Sequence, residues 1–259
     1  MVFPVGDDNS DRQSFPWVTI ALVVANVFVF VVFQQMGHND SVTLAYCQVP
    51  AEIISGRDVI TEPSVRAIPM EGRMVEVPVP GLMPTPIPVW LTLLTAIFMH
   101  GSIMHLAGNL WFLWIFGDNV EDDMGHFKYL VFYMITGVLA SLAFVVFNSS
   151  GEAAMTPCLG ASGAISGVLG AYLVLHPRRR VSVIVLRMMV DVPGSMAVGI
   201  WFLFQIVSGV FDSSGGGGGV AYSAHVAGFV AGMILSKPMS SPRVRAHADP
   251  LLVMRRRIP

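Results

Sequence analysis

The sequence predicts an all-α fold, a polytopic membrane helix bundle with six transmembrane helices. Apolar residues make up 54% of the 259 residues and charged residues only 12%, whereas soluble domains carry roughly 25% charge. The apolar residues are also gathered into long blocks with few or no charges, a pattern typical of helices that cross a bilayer. This composition excludes a disordered chain, a nucleic-acid-binding protein and an ordinary cytosolic enzyme.

The six predicted spans follow one another along the chain as apolar blocks. The first block is long enough to cross a hydrocarbon core of about 30 Å at about 1.5 Å per residue. The blocks are Phe15–Phe33, Val89–Phe116, Phe127–Phe147, Leu159–Leu175, Gly194–Phe211 and Val220–Leu235. Val181–Val190, between the fourth and fifth blocks, is open to three interpretations: a loop, a re-entrant segment or the start of the fifth span.

The remaining segments divide the chain into regions. We expect residues 1–14 to form a short cytoplasmic N-terminal segment, residues 15–236 the membrane domain, and residues 237–259 a basic cytoplasmic tail. Residues 37–88 are rich in proline, which cannot continue a helix, so we predict a long extracytoplasmic loop there. The glycine run Gly215–Gly219 is predicted to be a flexible outer connection.

The arginines indicate the orientation of the bundle. Ten of the 15 basic residues, but only three of the 17 acidic ones, follow Pro177. Arg178–Arg180 lie between the fourth and fifth spans, and the basic tail follows the sixth. With an even number of spans, these two segments and the N-terminus share one side, and short basic loops mark the cytoplasm. Asp118–Asp123 is then predicted to be a cytoplasmic turn between the second and third spans.

The polar residues inside the spans exclude several kinds of chemistry. Aspartate and glutamate are absent from the middle of the spans, which disfavours proton-coupled transporters and aspartyl intramembrane proteases. The H-E-x-x-H motif is missing. His100 and His105 are five residues apart, roughly 140° around a helix, a poor arrangement for joint metal binding. We therefore predict neither a metal nor another cofactor.

Two polar groups in the spans have a spacing that places them on one helical surface. His105 and Asn109 are four residues apart, so they share a face, one turn apart.

His225 opens the sixth span and is followed by Gly228 and Gly232. This Gly-x-x-x-Gly pattern allows close helix packing, which would bring His225 against the glycine-rich face of the fourth span.

A serine at the start of the fourth span completes a possible hydrolytic site. Ser162 needs a base to become a nucleophile, and a histidine such as His225 is the usual one. The resulting oxyanion needs donors, which His105, Asn109 and the Ser162 N–H could supply. From the residues alone, alternatives stay open. Ser166 is a rival nucleophile on the same face, the small residues could be a packing surface, and a transporter or an assembly factor competes with a serine hydrolase.

Taken together, the motifs resemble those of the rhomboid intramembrane serine proteases. They are His100-Gly-Ser-Ile-Met-His105-Leu-Ala-Gly-Asn109, then Gly160-Ala-Ser162-Gly163-Ala, and then Ala224-His225-x-x-Gly228-x-x-x-Gly232. The resemblance extends from about Phe15 to Leu235. It implies a rhomboid-like bundle of six helices and a Ser–His dyad without an acidic third member, in which Ser162 is the nucleophile and His225 the general base.

The roles of the other motif residues follow from the resemblance alone. It implies an oxyanion and substrate-binding site at His105, Asn109, Gly160 and Gly163. It implies supporting roles for His100, Gly228 and Gly232. It also implies that the substrates are transmembrane segments of membrane-anchored proteins, cleaved near the outer membrane boundary. A non-catalytic rhomboid-like protein that binds or escorts membrane clients is the alternative function.

The resemblance also bears on the surroundings of the site. Trp201, Phe202 and Phe204 would line a lateral gate, although an ordinary lipid-facing aromatic set explains them equally well. Some relatives carry an aromatic residue, stacked on the histidine, where this chain has Ser166. The outer loop lacks a clear Trp-Arg pair and offers Arg66 and Arg73 instead.

Compartment and partners complete the expectations. We expect a multi-pass protein of the cell membrane, in a bacterial inner membrane, with an active site that opens to the extracytoplasmic side. Its partners are then the lipid bilayer and transmembrane protein substrates, with no nucleic acid, and the sequence assigns no oligomeric state. Cys47 and Cys158 both fall on the outer side, and we expect two separate apolar residues rather than a disulfide.

Overall fold

The computed structural model of the chain describes residues 2–70, 73–215 and 222–241. These residues form nine α-helices: α1 (Trp17–Phe28), α2 (Asp40–Tyr46), α3 (Pro50–Ser55), α4 (Thr92–Thr95), α5 (Ile103–Met124), α6 (His126–Phe147), α7 (Ser162–Leu175), α8 (Gly194–Gly215) and α9 (Tyr222–Met239). They also form five strands: β1 (Val2–Asp7), β2 (Ser64–Met70), β3 (Arg73–Val79), β4 (Arg180–Val185) and β5 (Met188–Pro193). Residues 242–259 of the predicted tail and most of the predicted Gly215–Gly219 connection lie outside the described residues.

Helix α6 is the described helix whose length and composition alone suit a membrane span. It has 22 residues and a mean hydropathy of 2.4. The segment Val89–Phe98 and α5 pass the same test only as a pair, and the helical segments Trp17–Phe33, Ser162–Leu175 and Gly194–Val207 are shorter apolar helices. The helical bundle is therefore confirmed, whereas the count of six spans stays a prediction.

The predicted second span, Val89–Phe116, is not one helix. Short helical turns cover Val89–Phe98, and they meet α5 at an angle of 77°. Met99 has an extended backbone, and the side chain of Ser102 caps the start of α5 by accepting a hydrogen bond from the His105 N–H. The prediction that His100 and His105 lie on the same helix was therefore wrong, because His100 lies in the break before α5.

Helix α5 also runs further than predicted. Asp118–Asp123 forms its last turns rather than a turn between spans. Asp118, Glu121 and Asp123 are buried, and this segment bonds to the N-terminal residues: Arg12 donates to the Asp118 carboxylate over 2.6 Å, and the Asn119 amide donates to Asp7 over 2.6 Å. Paired carboxylates tolerate burial because their charge is compensated, so the sequence pattern of a polar turn was misleading here.

Regular structure occurs in the predicted outer loop and in the segment between the fourth and fifth blocks whose interpretation was left open. The proline-rich outer loop includes α2, α3 and the antiparallel hairpin of β2 and β3. Val181–Val190 lies in a connection between α7 and α8 that folds as a β-hairpin. Strand β4 pairs with β5 and also with β1, in the strand order β1-β4-β5. The N-terminal segment and the connection between α7 and α8 thus share one sheet.

Helix α7 lies at the centre of the bundle. Its residues 163–172 are all buried, and it packs against α5, α6 and α9. Small residues set these distances, since a Cβ atom at Gly228 of α9 would overlap the carbonyl oxygen of Gly163, and one at Gly232 would overlap that of Gly167. The Gly-x-x-x-Gly pattern therefore does bring two backbones into direct contact, as predicted.

Glu121 of α5 caps the N-terminus of α1 from a distant part of the chain. Its carboxylate accepts from the Val18 N–H at 2.9 Å, from the Thr19 N–H at 2.7 Å and from the Thr19 hydroxyl at 2.7 Å. A helix start leaves backbone N–H groups without internal partners, and a carboxylate there also interacts favourably with the helix dipole. This contact ties the first helix to the bundle.

Replacing Glu121 by alanine is expected to lower the free energy of unfolding by about 3 kcal/mol, because three buried donors lose a charged acceptor. Thermal or denaturant unfolding in detergent micelles measures this. Glu76→Ala, on the exposed strand β3, is the matched control and should change the value by less than about 0.5 kcal/mol. Equal effects of the two substitutions would contradict the capping role.

Gly228→Ala should separate α7 from α9, because the added Cβ meets backbone and not a movable side chain. We expect a loss of about 3 kcal/mol, at the upper end for an overpacked core. Gly199→Ala on α8 is the control, since nothing lies within 4 Å of its Cβ position, and it should be neutral or slightly stabilising. If both variants unfold at the same temperature, the glycine contact does not set the helix distance.

Glu52 of α3 gives the outer loop a pH dependence. The side chain is buried, one carboxyl oxygen accepts from the Val59 N–H and the other has no partner among the described residues. Burial raises the pKa of the Glu52 carboxyl to about 7. Because folding raises this pKa, a protonated Glu52 favours the folded state. Its contribution to the free energy of unfolding is complete below the ordinary carboxyl pKa and is lost as the pH rises through 7. The unfolding temperature should therefore fall more steeply between pH 5 and 8 in the wild type than in Glu52→Gln, and equal slopes in the two proteins would contradict the role of Glu52.

Candidate active site

Ser162 and His225 form a hydrogen-bonded pair in the interior of the bundle. Ser162 is the first residue of α7, and its Oγ lies 2.7 Å from Nε2 of His225 on α9. The histidine is buried, with 9% of its surface exposed. The contact exists because the glycines of α7 and α9 let the two helices touch. A serine hydroxyl bonded to an imidazole nitrogen is the geometry of an activated nucleophile.

The other ring nitrogen of His225 contacts a residue that the sequence analysis missed. Nδ1 lies 2.7 Å from the amide oxygen Oε1 of Gln205 on α8. An amide oxygen can only accept, so Nδ1 carries the ring proton and Nε2 has a free lone pair towards Ser162. The sequence does contain a signal, because Gln205 is the one polar residue in the apolar run Ile200–Val207.

Ser166 has a different role from Ser162, although the two were equivalent by spacing. Its hydroxyl donates to the backbone carbonyl of Ser162 over 2.6 Å and is buried. This is the back-bond that serine commonly makes within a helix. The structure therefore brings Ser162, and not Ser166, to His225.

His105 and Asn109 converge on Gly160, two residues before Ser162. A Cβ atom at Gly160 would lie 2.8 Å from Nε2 of His105 and 3.7 Å from Nδ2 of Asn109. Gly160 has a φ of +122°, a conformation that side chains rarely allow. Nδ2 of Asn109 is buried without a hydrogen-bond partner in the part of the chain that the structure describes. Two side-chain donors thus point at the approach to Ser162.

His100 packs behind this pair. Its backbone N–H donates to Oε1 of Gln34 at 3.0 Å, and its carbonyl accepts from Nε2 of Gln34 at 2.8 Å. Its ring lies edge-on to that of His105, with 5.2 Å between the centroids. Gln34 ends the first helical segment, so the break before α5 is held to α1 and in turn holds His105.

A small cavity of about 20 Å³ opens beside Ser162. This is room for about one water molecule. Its walls come from the outer loop, from the helical turns Val89–Phe98, from the segment before α7, and from α6, α7 and α9, including Gln48, Ala96, Ser141, Cys158 and Ala224. The main chains of Gln48 and Cys158 exchange two hydrogen bonds, of 3.0 and 2.8 Å, which fix the outer loop to the segment before the serine. The Cys47 and Cys158 thiols are free.

The aromatic residues of α8 divide between two faces. The Phe202 ring stacks on that of Phe229 at 4.0 Å, and the Trp201 ring lies 6.5 Å from that of His225. Phe204 is 63% exposed and lies on the outer face. Of the three residues expected at a gate, two therefore pack towards α9 and one faces away. Among the described residues, no three His, Cys, Asp or Glu side chains cluster as metal ligands would.

Comparison with known proteins identifies the family of this fold and site. A family model described as the rhomboid domain matches residues 88–242. The chain is 31% identical over 166 residues to the Rhomboid protease GluP of Bacillus subtilis, covering 63% of this chain and 29% of that protein. It is 29% identical over 163 residues to the mitochondrial Rhomboid protein 1 of Saccharomyces cerevisiae, covering 60% and 44%. It is 32% identical over 104 residues to the human mitochondrial Presenilin-associated rhomboid-like protein, covering 40% and 27%.

The chain spans less than half the length of these relatives. The family match nevertheless includes every residue of the three motifs, from His100 to Gly232, and extends over more than half of the chain. The chain therefore belongs to the rhomboid family of multi-pass membrane proteins, which includes serine proteases.

Proposed function

We propose that this protein is an intramembrane serine endopeptidase that cleaves transmembrane segments of membrane-anchored proteins near the outer membrane boundary. The observation that carries the proposal is the 2.7 Å contact between the Ser162 hydroxyl and Nε2 of His225 at the start of a buried helix. The name of the B. subtilis relative, a rhomboid protease, supports the same reaction class.

The arrangement supports acyl transfer in two steps. Nε2 of His225 takes the proton of Ser162, and Oγ forms a bond to the carbonyl carbon of the scissile peptide. When the tetrahedral intermediate collapses, the C–N bond breaks and the leaving amine takes the proton from His225. Water then attacks the acyl-enzyme carbonyl while His225 takes its proton. When this second intermediate collapses, the ester bond to Oγ of Ser162 breaks, Oγ takes the proton back from His225, and the carboxylic acid leaves. The cavity beside Ser162 is large enough for that water.

The negative charge of each intermediate requires donors near Gly160. We assign them to the side chains of His105 and Asn109 and to the Ser162 N–H, one of the free N–H groups at the start of α7. The buried, unpartnered Nδ2 of Asn109 supports this assignment, because an unsatisfied donor there gains a partner when the oxyanion forms. Gly163 lines the cavity beside Ser162, but a Cβ atom there would lie 2.6 Å from Cβ of Ala140 on α6, so its lack of a side chain serves the packing of α7 on α6.

We assign the six spans to α1, α5, α6, α7, α8 and α9, within a membrane domain of residues 15–236. The pairing of β1 with β4 supports this, because it brings the N-terminal segment and the connection after α7 to the same end of the bundle. Arg178–Arg180 lie in that connection, which makes this end cytoplasmic. The site at the opposite ends of α7 and α9 would then open outwards.

Ser162→Ala should abolish cleavage of a model protein with one transmembrane helix in proteoliposomes, a loss of at least about 10³-fold. His225→Ala should be as severe, because neither member of the dyad works alone. Ser166→Ala is the matched control and should keep most of the activity, since it removes only a bond to the helix backbone.

Labelling with a fluorophosphonate probe tests which serine is the nucleophile. Labelling of wild type and of Ser166→Ala, but not of Ser162→Ala, is expected. A reversed pattern would make Ser166 the nucleophile. A folded wild-type protein that is neither labelled nor cleaves its substrate would instead favour the alternative, a non-catalytic rhomboid-like protein that binds or escorts membrane clients.

A further inference from the structure

Gln205 is a buried polar side chain that the proposed mechanism does not use. It lies in the apolar part of α8 with 9% of its surface exposed, and its amide oxygen is 2.7 Å from Nδ1 of His225. Polar side chains inside a membrane bundle are costly and are kept where they bond to one another. A leucine would pack in this helix without that cost. The presence of an amide therefore indicates that His225 needs a hydrogen-bond acceptor at Nδ1.

The requirement is visible in the chemistry of the ring. A neutral imidazole has two tautomers, and only the one with its proton on Nδ1 can accept the Ser162 proton at Nε2. The amide oxygen of Gln205 stabilises this tautomer because it accepts the Nδ1 proton. It also fixes the rotation of the ring, since Ser162 and Gln205 bond to opposite nitrogens.

Among the described residues, Gln205 and Ser162 are the two whose side chains bond to the His225 ring. The Trp201 and Tyr222 rings lie 6.5 and 6.3 Å from the imidazole, one tilted and one edge-on, and provide no acceptor for Nδ1. The position four residues after Ser162 is Ser166, whose hydroxyl bonds to the helix backbone. An aromatic ring stacked on the histidine from that position is therefore absent from this chain.

We propose that Gln205 is the positioning residue of His225, which selects the Nδ1-protonated tautomer and aims Nε2 at Ser162. The expected effect on kcat rests on the proposed protease function, whereas the expected tautomer of His225 does not. It assigns to this dyad a neutral third member, contributed by a third helix.

Two substitutions separate a positioning role from a structural one. Gln205→Leu keeps the size of the side chain and removes the acceptor, whereas Gln205→Glu keeps an acceptor and adds a charge. We expect Gln205→Leu to lower kcat about 10²-fold with KM nearly unchanged, because the base is misaligned while the substrate surface stays intact. We expect Gln205→Glu to recover kcat to within about tenfold of wild type.

Stability should change in the opposite order. Leucine suits the apolar run of α8, so Gln205→Leu should unfold at or above the wild-type temperature, and the buried carboxylate of Gln205→Glu should lower it. Leu203→Ala, a 60% exposed position on the same helix, is the control and should retain wild-type kcat. A full kcat in Gln205→Leu, or activities that simply follow the unfolding temperatures, would overturn the proposal.

A spectroscopic measurement keeps the test independent of protease activity. In protein with ¹⁵N-labelled histidine rings, the wild-type His225 resonances should report the Nδ1–H tautomer, and Gln205→Leu should shift the ring towards the Nε2–H form. An Nε2–H tautomer in the wild type would sink the proposal. An Nδ1–H wild type that neither cleaves nor is labelled would leave Gln205 in its role and remove only the protease function.

Discussion

The direct backbone contact between α7 and α9 is the constraint on which the site depends. Lipid is as apolar as leucine, so packing at short range, and not the hydrophobic effect, holds membrane helices together. Gly228 and Gly232 lie against the carbonyl oxygens of Gly163 and Gly167, where no side chain fits. Since Ser162 begins α7 and His225 lies one turn into α9, this contact is also what brings the hydroxyl within bonding distance of the imidazole.

The end of the bundle opposite the Ser162 site obeys a second rule, that buried polar groups find partners within the protein. Glu121 caps α1, Asp118 bonds to Arg12, and the Tyr172 hydroxyl donates to Asp7 of β1 over 2.8 Å. Tyr172 belongs to α7, the helix that begins with Ser162. One helix thus begins with Ser162 at one end and is fastened at the other to the N-terminal strand, which limits its freedom to slide or rotate.

Local patterns in the sequence were sufficient for the parts of the site that a few neighbouring residues define. The spacing of His105 and Asn109, the small residues around Ser162 and the glycines after His225 all depend on helix geometry alone. The break at Met99–Ser102, the pairing of β1 with β4 and the buried acidic end of α5 depend on contacts between residues far apart in the chain. The role of Gln205 depends on such a contact too. In the sequence it is a single polar residue in an apolar run, and it meets His225 only when α8 packs beside α9.

A neutral acceptor at Gln205 also suits a bundle whose predicted spans have no aspartate or glutamate in their middle. A serine and histidine pair gains from an acceptor behind the imidazole, and a carboxylate is the strongest one. Inside a bilayer its charge is expensive, whereas an amide offers an oxygen acceptor without a charge. The amide in turn comes from α8, whose inner face packs on α9 through the stacked rings of Phe202 and Phe229 while Leu203 and Phe204 point outwards. The orientation of the His225 ring therefore depends on the docking of a helix that carries neither Ser162 nor His225.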